Sequence, residues 1–163
     1  MKHSEGSQVG FTGHQTLSPA TRRSVAAAIK GELKDEKNLI GLVSLAAGAD
    51  QIFAKTVLEL GGGIVAVIPS AEYERSFASN TDLIDYRALL KQAYRTIILP
   101  FDEPSEKAYW AAGQEIVKRS DRLLAVWDGK PAQGLGGTAD VVGYARTRGT
   151  PVTIIWPESG RRE

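Results

Sequence analysis

A glycine-rich segment in the last third of the chain has the residue types that bind anions. An apolar run ends at Asp128-Gly129, and Gly134-Leu135-Gly136-Gly137-Thr138 then precedes a new helical pattern. Glycines and a hydroxyl before a helix bring free backbone N–H groups and the positive end of the helix dipole to a phosphate. We predict that Gly136, Gly137 and Thr138 form a phosphate-binding loop.

Polar residues and glycines also follow the first two apolar runs of the chain, and they are candidates for the same site. Gly13 and Gly48 permit close approach of the backbone to a ligand, or simply a tight turn. Thr12 could bond a phosphate or cap a helix. His14 could contact phosphate or act in acid–base chemistry, and it could equally be a local hydrogen-bonding residue, because no carboxylate partner is evident. Asp50 is expected to be a helix N-cap first and a ligand contact second.

Two further acidic residues are candidates for binding the hydroxyls of a ribose. Asp128 ends an apolar run, where a carboxylate could hold a hydroxyl pair, or it is a turn aspartate before Gly129. Glu72 lies in the longest irregular connection, residues 69–82, and long loops in α/β folds often cover the ligand. Tyr73 in that connection is a candidate for stacking on a base.

Composition bounds the class of protein. The chain has 163 residues, a net charge of +1, two histidines and no cysteine. We therefore expect no metal site, no disulfide and no separate cofactor. The small net charge argues against nucleic acid as a partner. No apolar run is long enough to cross a membrane, which takes about 20 residues, and no signal peptide is evident, so we expect a cytoplasmic protein.

Apolar β-rich runs alternate with helical patterns along the chain, which predicts one doubly wound α/β domain. The expected fold is a Rossmann-like, mainly parallel sheet of about six strands with helices on both faces. Ser18 and Pro19 mark the start of the first helix. Residues 8–157 are assigned to the domain, 1–7 to a flexible lead and 158–163 to a tail. The predicted strands are Gln8–Thr12, Leu39–Leu45, Ile64–Ile68, Thr96–Leu99, Arg122–Trp127 and Val152–Trp156.

Several of these segments resemble the SLOG superfamily of Rossmann-like nucleotide-binding domains. Leu42–Asp50 and Gly62–Pro69 are similar to the second- and third-strand region of the DNA-processing protein A family. Gly136-Gly137-Thr138 is similar to the phosphate loop of the Lonely Guy phosphoribohydrolases, and Asp128–Ala145 also resembles the nucleoside deoxyribosyltransferases. The resemblance implies a nucleotide-like small molecule as ligand and a homodimer as the assembly.

One departure from these enzymes affects the expected function. The resemblance places their catalytic glutamate three positions after the loop threonine, where this chain has Val141. Asp140 is adjacent, but one helical step turns a side chain by about 100°. We therefore expect a non-catalytic or sensory domain that binds a nucleotide or a nucleotide-derived ligand. The alternative is a phosphoribohydrolase or nucleoside transferase in which Asp140 or Asp50 replaces the glutamate.

Overall fold

Six parallel strands form a single sheet in the part of the chain that the computed structural model describes, residues 7–131 and 134–157. The strands are β1 (Gln8–Gly13), β2 (Ile40–Val43), β3 (Gly63–Ile68), β4 (Arg95–Ile98), β5 (Arg122–Val126) and β6 (Val152–Ile155). They lie in the order β4-β3-β2-β1-β5-β6. The predicted α/β Rossmann-like fold is thus confirmed.

Helices cover both faces of the sheet, as predicted. The helices are α1 (Pro19–Leu33), α2 (Ala49–Glu59), α3 (Asn80–Gln92), α4 (Glu106–Arg119) and α5 (Thr138–Thr147). Helices α1 to α3 bury their apolar side chains in one core cluster with β1 and β3, whereas α4 and α5 pack into a second cluster on the opposite face. Among the described residues, no helix is long and apolar enough to cross a membrane.

The local sequence predicts the start of α1 correctly but not the N-cap of α2. Ser18 caps α1 with its side-chain oxygen, which accepts a hydrogen bond from the N–H of Thr21, and Pro19 is the first helical residue, as expected. The prediction that Asp50 caps a helix is wrong, because the N-cap of α2 is Gly48. Asp50 lies inside the first turn, and its carboxylate instead accepts a hydrogen bond from the N–H of Ala46.

The strand order reverses between β1 and β5, where the chain passes from one face of the sheet to the other. The loops that follow these two strands diverge there and leave a crevice at the carboxyl edge of the sheet. Ser7, part of the predicted lead, accepts a hydrogen bond from Ile40 through its carbonyl. The rest of that lead and the predicted tail, residues 1–6 and 158–163, lie outside the described residues.

Candidate functional site

A cavity of about 880 Å³ opens at this crevice. Its volume lies within the range of about 300–1,000 Å³ that is usual for small-molecule sites. Many predicted site residues line it, and others do not. The lining residues are Thr12, Gly13, His14, Asp50, Gly136, Gly137 and Thr138. The predicted residues outside the lining are Gly48, Glu72, Asp128, Gly129 and Asp140.

The glycine-rich loop uses its own backbone N–H groups differently from the prediction. The N–H of Leu135 donates to Glu106 Oε1 at 3.1 Å, and the N–H of Gly136 donates to Asp140 Oδ2 at 3.0 Å. The N–H of Gly137 donates to the carbonyl of Gly134 at 3.3 Å. Three backbone donors of the loop are therefore occupied by hydrogen bonds within the protein. Asp140 stabilises the loop from outside the cavity lining.

The free donors lie one step further along, in the first turn of α5. The backbone N–H groups of Thr138 and Ala139 make no hydrogen bond within residues 7–131 and 134–157, and both residues line the cavity. Groups at a helix N-terminus without an intrahelical partner attract anions because the helix dipole adds to their partial positive charge. The backbone donors of this segment that remain available at the cavity are thus at the start of α5 rather than at the glycines.

Gly136 brings the loop against α4. Its φ is +89°, and a Cβ atom there would lie 2.6 Å from the backbone nitrogen of Trp110. Val141, at the position of the glutamate in the resembling enzymes, is buried and lines the cavity. Its side chain packs against Gly113, where a Cβ would lie 2.6 Å from Val141 Cγ2. The cavity wall is therefore apolar where those enzymes would place a carboxylate.

His14 does have a carboxylate partner, which the sequence does not reveal. His14 Nε2 accepts a hydrogen bond from the N–H of Asp128 at 3.1 Å and lies 3.3 Å from Asp128 Oδ1. The same carboxylate oxygen accepts a hydrogen bond from the N–H of Lys130 at 3.0 Å. The two residues are far apart in the chain, so no local pattern signals the contact. Asp128 therefore holds the His14 ring in place and stabilises the turn that it begins. It does not line the cavity.

Gly48 and Asp50 play different parts at the start of α2. Gly48 has a φ of +80°, and a Cβ there would collide with the carbonyl of Gln15, so this glycine allows the loops after β1 and β2 to pack together. Asp50 is 6% exposed, and burial raises the pKa of its carboxyl to about 7, although the hydrogen bond from Ala46 acts to lower it. Asp50 thus places a buried, titratable group in the cavity wall.

The long connection after β3 contributes aromatic rings to the cavity, whereas its predicted ribose ligand Glu72 lies outside the lining. Glu72 forms an ion pair with Arg75 at 2.6 Å on the surface. Tyr73 is buried and makes edge-to-face contacts with the rings of Phe77, Tyr86 and Tyr109. Burial, and in second place the nearby Asp50, raises the pKa of the Tyr73 phenol well above its usual range. Tyr73 is therefore a neutral part of the cavity wall.

Arg22 is a site residue that sequence reasoning missed. It lies in the first turns of α1, is half-buried and lines the cavity, and it forms no ion pair with any described residue. A signal for Arg22 was available in the sequence. The N-cap at Ser18 fixes which residues of α1 face the sheet, and Arg22 is next to Thr21, which is buried. Lys130 is the other cationic side chain in the described lining.

Solved structures resemble this fold closely, although the sequence itself matches little. No protein-family model matches the sequence, and no curated protein matches it significantly. DNA processing protein A from Streptococcus pneumoniae superposes with a TM-score of 0.70 at 20% identity, over 94% of this chain. The same protein from Helicobacter pylori superposes with a TM-score of 0.69 at 13% identity, over 98% of this chain and 70% of that one.

The chain shares its Rossmann-like fold with these proteins. The Moco carrier protein of Chlamydomonas, a further neighbour with this fold, superposes with a TM-score of 0.55 at 17% identity, over 91% of this chain and 74% of that one. This chain spans 51% of the S. pneumoniae structure. At these identities the likeness establishes the fold alone.

The expectation that nucleic acid is not a partner is wrong. The H. pylori protein, which shares this fold, binds single-stranded DNA. The expectation rested on a net charge of +1 for the whole chain. The net charge of a chain sums all of its charged groups, wherever they lie on the surface. Each phosphate of a nucleic acid is bound by only a few nearby hydrogen-bond donors and cationic side chains. A near-neutral total therefore does not exclude nucleic acid.

Proposed function

We propose that the cavity binds a nucleotide or a nucleotide-derived ligand and leaves it chemically intact. One observation supports this most directly. Within residues 7–131 and 134–157, the backbone N–H groups of Thr138 and Ala139 and the guanidinium of Arg22 have no hydrogen-bond or ion-pair partner, and all three residues line the same cavity. A helix N-terminus and an arginine are two complementary ways of binding a phosphate.

The phosphate contacts differ in kind. The first turn of α5 supplies backbone donors and, from Thr138, a hydroxyl, and these groups are fixed by the helix. Arg22 supplies a planar, permanently charged group that can bind two phosphate oxygens at once. Thr12 and Gly13 at the end of β1 and His14 directly after it form another wall, because β1 pairs with β5 and its end therefore lies beside the loop that follows β5.

The proposal that the ligand stays intact rests on where the carboxylates lie. Val141 occupies the position of the glutamate in the resembling enzymes, and Asp140 is bound to the N–H of Gly136 outside the cavity lining. Cleavage of an N-glycosidic bond needs a carboxylate placed accurately at the sugar. Asp50 is the candidate that remains for the alternative, a phosphoribohydrolase or nucleoside transferase. That alternative predicts release of free base.

Single-stranded DNA is a second candidate ligand, favoured by the likeness to DNA processing protein A. Its phosphates would use the same groups, because Arg22 and the start of α5 recognise a phosphate and not a particular base. A short oligonucleotide and a mononucleotide should then compete for one site. The homodimer and the cytoplasmic location stay predictions from the sequence.

The test compares Arg22→Gln with its neighbour Arg23→Gln. Arg22 lines the cavity, whereas Arg23 is exposed outside it, so the two variants change charge equally. Loss of one charge-assisted hydrogen bond is worth about 1.5–3 kcal/mol. We expect Arg22→Gln to weaken nucleotide binding at least about tenfold and Arg23→Gln to change it little, as measured by calorimetry with mono-, di- and triphosphates and cyclic nucleotides.

The same samples distinguish the candidate functions. Ligand recovered intact by chromatography supports a binding module, and free base or sugar phosphate supports the enzyme. Binding of an oligonucleotide that a mononucleotide does not displace, and that Arg22→Gln leaves unchanged, would separate DNA binding from the cavity. Equal affinity in both arginine variants would contradict the assignment of the phosphate to Arg22.

A further inference from the structure

We propose that Asp50 selects the base of the bound ligand by accepting hydrogen bonds from the 2-amino-4-oxopyrimidine edge that guanine and pterins share. The proposal deepens the proposed function and rests on it, because it assigns a further part of the lining of the same cavity. It differs from the phosphate assignment in its residues, which come from α2, the connection after β3 and α4. It therefore predicts which base binds, a property that phosphate contacts do not determine.

The carboxyl of Asp50 has hydrogen-bonding capacity that the protein does not use. Oδ2 accepts the N–H of Ala46 at 3.1 Å. Oδ1 has no hydrogen bond to any residue within 7–131 and 134–157, although only 6% of the surface of Asp50 is exposed to solvent. Because Asp50 also lines the cavity, a ligand is the available source of further donors.

Aromatic side chains lie in the wall beside this carboxyl. Tyr73, Phe77 and Tyr109 line the same cavity, and the Tyr73 ring contacts the other two edge to face at centroid distances of 5.4 and 6.5 Å. Rings held by one another offer a rigid apolar surface to a flat ligand, and contact between bases and aromatic rings is favourable for every base. The rings therefore bind a base, and Asp50 distinguishes between bases.

The chemistry of the edge decides which base fits. A buried carboxylate is costly unless several donors point to it. Guanine and pterins present a ring N–H beside an amino group, two adjacent donors that match the two oxygens of a carboxylate. Adenine presents an amino group beside an unprotonated ring nitrogen, whose lone pair would face an oxygen lone pair. Hypoxanthine presents the ring N–H without the amino group and should bind with intermediate affinity.

The protonation state of Asp50 gives the preference a pH dependence. Burial raises its pKa to about 7 in the free protein, so acid converts it to a neutral group that no longer accepts both donors. Affinity for guanine is therefore full above pH 7 and falls as the pH drops below it. Other ionisable groups also line the cavity, so the comparison is between wild type and the Asp50 variant. These groups are His14, Arg22, Tyr73, Asp82, Glu106, Tyr109 and Lys130.

The experiment measures affinities for GMP, IMP, AMP, guanosine and pterin at pH 6 and pH 8. We expect wild type to bind GMP at least about tenfold more tightly than AMP at pH 8, with IMP between them. Asp50→Asn should remove this preference by weakening the binding of GMP. The amide keeps one oxygen to accept the N–H of Ala46, and its NH2 group replaces the second acceptor. The matched control is Asp85→Asn, which removes a surface carboxylate paired with Lys55 at 3.3 Å.

The outcomes separate this inference from the proposed function. Equal binding of GMP and AMP by the wild-type protein would overturn the role of Asp50 and leave the phosphate site standing, and this comparison needs no variant. Guanosine or pterin binding as tightly as GMP would support the base site and contradict the phosphate site. Guanosine and pterin also distinguish a nucleoside from a pterin as the source of the edge. Failure of all five compounds to bind would overturn the assignment of Asp50, and the calorimetry with di- and triphosphates and cyclic nucleotides would then decide whether the phosphate site stands.

Discussion

At the scale of single residues, Asp50 opposes the stability of the fold that contains it. Its carboxyl has a pKa of about 7 in the folded protein, against an ordinary value of 3.8. Between these pH values the folded state keeps a proton that the unfolded state releases. The free energy of unfolding therefore decreases as the pH rises through this window. The decrease is up to about 4 kcal/mol, because the pKa of Asp50 is about 3 higher in the folded protein than in the unfolded chain.

This linkage gives a prediction for Asp50→Asn. The variant is neutral at every pH, so we expect it to raise the free energy of unfolding at pH 8 relative to wild type and to leave it nearly unchanged near pH 4. Urea denaturation at the two pH values measures the difference. A gain of the same size at both values would show that packing, and not ionisation, is responsible.

Arg22 and His14 show what a residue-level interpretation of the sequence can and cannot find. The candidates Thr12, Gly13 and His14 were predicted from their place at the end of a strand, and all three line the cavity. Arg22 was missed because it follows no strand. The contact between His14 and Asp128 was missed because it joins the ends of two strands that only the sheet brings together.

At the scale of elements, α4 and α5 determine the shape of the glycine-rich loop. Glu106 at the start of α4 and Asp140 in the first turn of α5 each accept one backbone N–H of the loop. Gly136 fits against the backbone of Trp110 at a positive φ. The loop is therefore built by contacts with two helices, and the donors that remain are those of α5 itself.

Two glycine substitutions test this account of the loop. Gly136→Ala adds a Cβ 2.6 Å from the nitrogen of Trp110 at a φ of +89°, and we expect it to lower the free energy of unfolding by about 1–3 kcal/mol. Gly143 lies on the exposed side of α5 with nothing within 4 Å of an added Cβ. Gly143→Ala should therefore be neutral or stabilising by up to about 1 kcal/mol. Chemical denaturation compares the two, and equal losses would contradict the packing argument.

At the scale of the whole molecule, the cavity depends on contacts that are distant in sequence. The loop after β1 and the start of α5 lie at opposite ends of the chain and become neighbours because β1 pairs with β5. We expect a bound nucleotide to slow amide hydrogen exchange at residues 12–16 and 138–141 together and with the same apparent affinity. Mass spectrometry across a ligand titration measures this, and protection of only one segment would contradict a shared site.

The alternation of strands and helices was determined by the sequence alone. Apolar runs separated by helical periodicity predict a parallel α/β sheet because both patterns repeat over a few residues, and the six observed strands follow those runs. The same logic predicted that Gly136, Gly137 and Thr138 lie at the carboxyl edge of the sheet, where they line the cavity, since the carboxyl ends of parallel strands share one edge. Ser18 predicted the start of α1 because capping is a local interaction.

Tertiary structure alone decided what these residues do. Burial of Asp50, the use of the loop N–H groups by Glu106 and Asp140, and the exposure of Arg22 to the cavity each depend on elements distant in sequence. The correction on nucleic acid has the same origin, because total charge does not reveal how donors and cations converge. Local sequence patterns specify the elements, and the free energy of packing them together specifies the chemistry of the site.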